Sequence, residues 1–138
     1  MNKLIFWAIR IIPAVIMLQT LYFKFTAAPE PIHIFTVLLG KHEAAGRIGT
    51  GMVELIGGSL LLIPALSVFG ALLGAGTMTG AIVSHLFILG INIQYYNSQN
   101  VLIKDNGSLF LSALITLVCC LMIIFQQKDY LFLLIKKI

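Results

Sequence analysis

The sequence predicts an all-α membrane protein, a bundle of four transmembrane helices with a short interfacial helix between helices 1 and 2. Three observations carry this. Of the 138 residues, 59% are hydrophobic and only 10% are charged, whereas soluble domains carry roughly 25% charged residues. The mean hydropathy is +1.02. The apolar residues gather into four runs, 4–23, 48–66, 68–91 and 109–125, each close to the ~20 residues that cross a hydrocarbon core. The chain is of a length for one integral membrane domain, 1–138.

The first run opens behind Lys3, and Thr26-Ala27-Ala28 has the small residues of a signal-peptide cleavage site. Arg10 interrupts the apolar region, however, and Pro29 follows the supposed cut. A retained helix with a bend at Pro13 is therefore expected. The connection 24–47 is the longest polar one. Its middle, Pro29 to Leu39, mixes Ile32, Ile34, Phe35, Val37, Leu38 and Leu39 with Glu30 and His33. It is too short to span and too apolar to float free, which predicts a helix lying at the interface and stopped by Gly40.

The second and third runs are separated only by Pro64 to Ser67, so they form an antiparallel helical hairpin. Residues 92–106 read as a polar loop with interfacial Tyr95 and Tyr96. After the fourth run, Tyr130 to Ile138 with its terminal lysines reads as a tail against the headgroups. Gly70 and Gly74, then Gly76, Gly80 and Ser84, form two small-xxx-small series on the third helix. Small residues let membrane helices approach closely, so that helix is expected at the centre of the bundle.

Four spans put both termini on one side. The terminal face then holds Lys3, Arg10, Lys128, Lys136 and Lys137, against Lys24, Lys41, Arg47 and Lys104 opposite. That small excess favours cytoplasmic termini. The net charge of +4 does not point to nucleic acid, because the basic residues are scattered between apolar runs. Cys119 and Cys120 are adjacent and deep in an apolar run, which suits core fillers better than redox chemistry.

Ionisable residues inside a bilayer cost at least about 2.5–3.5 kcal/mol, so each needs a partner or a task. Arg10, Glu54 and His85 stand out, with Gln19 and Lys24 near the far end of the first helix. At about 1.5 Å per residue, Glu54 and His85 both lie roughly 9 Å below the side opposite the termini. Gln19 and Lys24 reach that level from the first helix, and Ser108 and Ser112 from the fourth. A polar pocket opening on that side is expected. Thr50, Gly51, Gly57 and Gly58 neighbour Glu54 at helical spacing, so its face turns toward another helix.

If the second helix begins near Ala44, Glu54 drops toward the midplane and Arg10 can reach it as a buried charge pair. Such a pair serves helix register as well as it serves a ligand, and both roles stay open. His85 reads equally as a hydrogen-bonded core histidine, and Lys24 as a snorkelling interfacial lysine. His33 and His42 fall in the connection, so haem held by two histidines has only His85 inside. No metal site has ligands at suitable spacing, and no nucleophile elbow, P-loop or dinucleotide fingerprint occurs in a valid context. The chain does not read as a complete enzyme on its own.

Arg10, Lys24, Glu54-Leu55-Ile56-Gly57-Gly58 and a small-residue third helix ending near His85 together resemble the DoxX-like family of small four-helix bacterial membrane proteins. The resemblance covers about the first 90 residues, and the fourth helix is similar in kind only. Where the family has a glycine three residues before the lysine, this chain has Leu21. Backbone crowding near Lys24 should therefore differ.

The family takes its name from a subunit of a thiosulfate:quinone oxidoreductase. The resemblance implies a multi-pass protein of the bacterial cytoplasmic (inner) membrane, serving a quinone-linked redox complex as a small subunit or accessory. Its quinone would lie near Glu54, His85, Lys24, Gln19 and Ser112, with redox-complex subunits or a second copy of the chain as partners. The alternative is a structural or assembly partner of another membrane protein, in which Arg10 and Glu54 only hold the bundle together.

Overall fold

The computed structural model describes residues 1–138. Asn2 starts the first helix: its side chain accepts a hydrogen bond from the Leu4 amide at 3.0 Å. Helix α1 runs Lys3–Gln19 with Pro13 inside it, and after Thr20 a short helix α2 covers Leu21–Phe25. Helix α1 continues through Pro13 and breaks about two turns later, where the Thr20 hydroxyl donates to the Met17 carbonyl at 2.9 Å. Ala27 at φ +55° turns the chain, and Pro29 opens α3, Pro29–Leu39. Gly40, at φ +56°, ends it as expected.

A single 3-10 turn, Gly40–His42, leads into α4, Glu43–Leu61. This helix starts and ends five residues earlier than the apolar run that announced it. Glu43 sits in its first turn, where a carboxylate complements the helix dipole. The turn at its other end contains Pro64, which cannot continue a helix. Helix α5, Ser67–Ser84, passes into a π-helical turn, His85–Leu89, closed by Gly90 at φ +79°.

The stretch expected to be a polar loop contains a two-stranded antiparallel hairpin, β1 (Gln94–Tyr96) with β2 (Leu102–Lys104), in which Tyr95 pairs with Ile103. The Asp105 carboxylate ties the hairpin to the next helix by accepting from the Ile93 amide at 2.8 Å and the Gly107 amide at 3.0 Å. Helix α6 covers Ser108–Gln126, and α7, Lys128–Lys137, forms the tail.

The four long helices form a ring in the order α1, α4, α5, α6, with α1 and α5 diagonal to one another. Helix α5 is therefore a corner of the ring, not its centre. Met17, Leu61, Ala71, Met78, Cys120 and Ile123 supply the core, and both cysteines are free and buried. Helices α4 and α5 approach closely at Gly70. A Cβ at Gly70 would stand 2.6 Å from the Gly57 carbonyl and 2.7 Å from the Leu61 amide. Gly76 and Gly80 behave differently, with nothing within 4 Å of a Cβ built on either.

Both termini lie at one end of the bundle. The Gln126 amide contacts the Met1 sulfur at 3.0 Å, and the Gln127 amide reaches Pro64 and Ser67 in the α4–α5 turn. Three segments, Lys3–Phe25, Ser67–Leu89 and Ser108–Gln126, are long and apolar enough to cross a membrane. Helix α4 falls short of that standard because it carries Glu43, Arg47 and Glu54 among many glycines.

Candidate polar cleft at the far end of the bundle

Helix α4 buries one stripe made of Arg47, Gly51, Glu54 and Gly58. The three- and four-residue steps between them keep all four on one face. Against this stripe lies α2. Phe25 rests on Gly51, where a Cβ would come within 2.8 Å of its ring. Glycine is required there by the close approach. Below it, Glu54 is 4% exposed, and its Oε2 takes the Lys24 ammonium together with the Thr20 hydroxyl, the latter at 3.3 Å. Above it, Arg47 is 6% exposed and chelates Glu43 through Nε at 3.0 Å and Nη2 at 3.4 Å. The remaining Nη1 of Arg47 donates to the backbone carbonyl of Lys24.

His85 approaches from α5. It is 4% exposed, and its Nδ1 lies 2.8 Å from the Gly90 carbonyl, which only accepts. Nδ1 therefore carries the proton, and in the neutral ring Nε2 is an acceptor. The π-helical turn makes this possible by bringing Gly90 back beneath the ring. Phe110 of α6 packs edge-on against it, centroids 5.7 Å apart.

Between these groups is a cleft of about 870 Å³. Thr20, Lys24 and Glu54 form one end, and α5 forms a wall of Gly76, Thr77, Gly80, Ser84 and His85. Ser112 and Ala113 of α6 face it, and Ile34, Phe35 and Leu38 of α3 give it an apolar cover. At the mouth, Glu30 of α3 meets Tyr95 of β1. Burial pushes the Glu30 carboxyl above its ordinary range, the Tyr95 hydroxyl opposes this, and the charge of Asp105 reinforces it. Burial likewise raises the Tyr95 hydroxyl, and the neighbouring Glu30 adds to the effect.

The structure thus brings Glu54, Lys24, His85, Gln19 and Ser112 around one cleft. One expectation needs correction. Arg10 does not pair with Glu54: it is 1% exposed, donates to the Phe6 carbonyl at 2.8 Å, and lies 3.7 Å over the Phe6 ring. Its Nε has no partner. Helix α4 does begin early, but the carboxylate is level with Thr20, ten residues and therefore about 15 Å along α1 from Arg10. Gln19 lines the cleft without touching Glu54, because the turn at Thr20 presents the threonine instead.

Arg47 is absent from the sequence-derived site, where it counted only as a cation of the far side. The signal for it was present in the Glu43-x-x-x-Arg47 spacing and in its position two turns before Glu54. Comparison of the chain with family models, with curated proteins and with solved structures finds no match in any of the three.

Proposed function

We propose that this chain is a DoxX-like integral membrane protein whose cleft holds the head of a quinone-type amphiphile for a quinone-linked membrane redox complex. The observation that carries the proposal is the make-up of the cleft. It is a space of about 870 Å³ with apolar cover from α3, the neutralised Glu54–Lys24 pair at one end and His85 in its wall. Amphiphile sites combine mostly apolar walls with a few fixed polar groups in this way. In this reading the chain acts as a small subunit or accessory of the complex.

Four crossings are favoured by what α4 does with its charges. Arg47 and Glu54 are buried and paired inside the ring, so the helix presents Ile48, Met52, Leu55 and Ile56 outward. A helix that hides its charges this way meets lipid with an apolar face. Orientation follows from the cations left free of internal partners. With Arg10, Lys24 and Arg47 engaged inside, the terminal end keeps Lys3, Lys128, Lys136 and Lys137, and the opposite end keeps Lys41 and Lys104. The excess favours cytoplasmic termini, and in this reading the compartment is the bacterial inner membrane.

Native mass spectrometry with lipid extraction, on protein purified in mild detergent, tests the function. A quinone-type amphiphile retained by wild type and lost from folded Glu54→Gln is the expected result. No small molecule in either sample, with a partner protein or oligomer retained in both, would assign the bundle a structural role instead.

A further inference from the structure

Three hydroxyls of the α5 and α6 walls spend their protons inside their own helices. The Thr77 hydroxyl donates to the Leu73 and Gly74 carbonyls at 3.0 and 3.1 Å, Ser84 to Gly80 at 2.8 Å, and Ser112 to Ser108 at 2.8 Å. Each therefore turns lone pairs, not its proton, toward the space it lines. His85 has its Nδ1 proton on Gly90 and leaves Nε2 as an acceptor. On Glu54, Lys24 and Thr20 both take Oε2, and Oε1 receives no hydrogen bond from the protein. The carboxylate and the histidine are each more than nine-tenths buried, and both line the cleft, so a ligand that fills the cleft covers these two acceptors.

Alongside them, Gly76 and Gly80 leave the α5 wall flat and open. These glycines were expected to pack against another helix. They make room instead.

We infer that the cleft selects a neutral aromatic diol, the hydroquinone form of its amphiphile, over the corresponding quinone. The inference rests on the proposed amphiphile site and names the chemical form that site takes. A diol brings two O–H donors, one for Glu54 Oε1 and one for His85 Nε2, and its oxygens still accept from Lys24. A quinone brings only carbonyl oxygens, which satisfy Lys24 and leave both acceptors facing lone pairs. A cationic ligand is disfavoured because Lys24 already neutralises Glu54. A ligand that covers the two acceptors without offering a donor strips them of water, a cost large enough to separate the two forms by at least about tenfold in affinity.

The test is anaerobic equilibrium binding of 2-decylhydroquinone and 2-decyl-1,4-benzoquinone to the full chain in mild detergent. Gly80→Leu serves as a variant that fills the cleft without touching its polar groups. Hydroquinone binding at least tenfold tighter than the quinone, and abolished in folded Gly80→Leu, is expected. Equal or tighter quinone binding that Gly80→Leu abolishes would overturn the diol preference and leave the amphiphile site standing. Binding of neither compound, or binding unchanged in Gly80→Leu, would overturn both. His85→Phe keeps the ring packing against Phe110 and removes Nε2. It should bring the two affinities to within a few-fold of each other, and an undiminished preference would count against the assignment.

Discussion

Arg47 and Glu54, two helical turns apart on α4, hold opposite ends of the same residue. Arg47 takes the backbone carbonyl of Lys24, and Glu54 takes its ammonium. Because Phe25 is seated on Gly51 between them, α2 is fixed along its length to one stripe of α4. The ion pair facing the cleft is therefore positioned from behind, by a second charged group that does not line it.

This arrangement predicts strong coupling between Glu54 and Lys24. The two side chains are 5% and 14% exposed, so removing one leaves a charge with little water to turn to. Glu54→Gln or Lys24→Met alone should each cost about 3–5 kcal/mol, and the double variant should recover much of that loss. Unfolding by titrated denaturing detergent in mixed micelles measures all three. Additive losses in the double variant would contradict the pairing.

Arg10 supplies the matching negative prediction. Its guanidinium lies on Phe6 and its carbonyl, away from Glu54. A double-mutant cycle of Arg10→Met with Glu54→Gln should give a coupling energy below about 0.5 kcal/mol, as for independent sites. Coupling comparable to that of Lys24 would restore the charge pair that the sequence invites.

That invitation shows what was legible and what was not. The apolar runs gave α1, α5 and α6, and Pro29 and Gly40 bounded α3, because hydropathy, proline and glycine act locally. The grouping of Glu54, Lys24, His85 and Ser112 followed from depth alone, at a fixed rise per residue. Azimuth and local breaks were hidden. The interruption at Thr20 swings Lys24 toward α4, and no periodicity announces it. The hairpin at Gln94–Lys104 was masked by its asparagines, although Tyr95, Tyr96, Val101 and Ile103 are good strand formers.

The two glycine series of α5 have identical spacing and should respond oppositely. A methyl at Gly70 meets backbone atoms of Gly57 and Leu61 at 2.6 and 2.7 Å, so α4 and α5 must part to admit it. Gly70→Ala should cost about 1–3 kcal/mol. A methyl at Gly76 meets nothing within 4 Å, and alanine restricts the unfolded chain. Gly76→Ala should be neutral or gain about 0.5–1 kcal/mol. Thermal midpoints of the two variants in one detergent decide the matter, and equal effects would contradict the different surroundings.

Glu30, at the mouth, makes stability depend on pH in a defined direction. Burial raises its pKa above the ordinary 4.5, with Asp105 adding and Tyr95 subtracting. A carboxyl with a raised native pKa binds its proton more tightly folded than unfolded, so its protonation favours the fold. That contribution is fully present below pH about 4.5 and is lost as the pH climbs through the native value. Glu30→Gln, which cannot ionise, should remove this part of the pH dependence and hold the acid-side stability to neutral pH. Tyr95→Phe removes the opposing hydroxyl, raises the Glu30 pKa further, and should move the loss to higher pH. Midpoints of thermal unfolding from acid to neutral pH, compared among wild type and the two variants, provide the check. A wild-type contribution from Glu30 that grows with rising pH would show the carboxylate to be stabilised at the mouth, contrary to its burial.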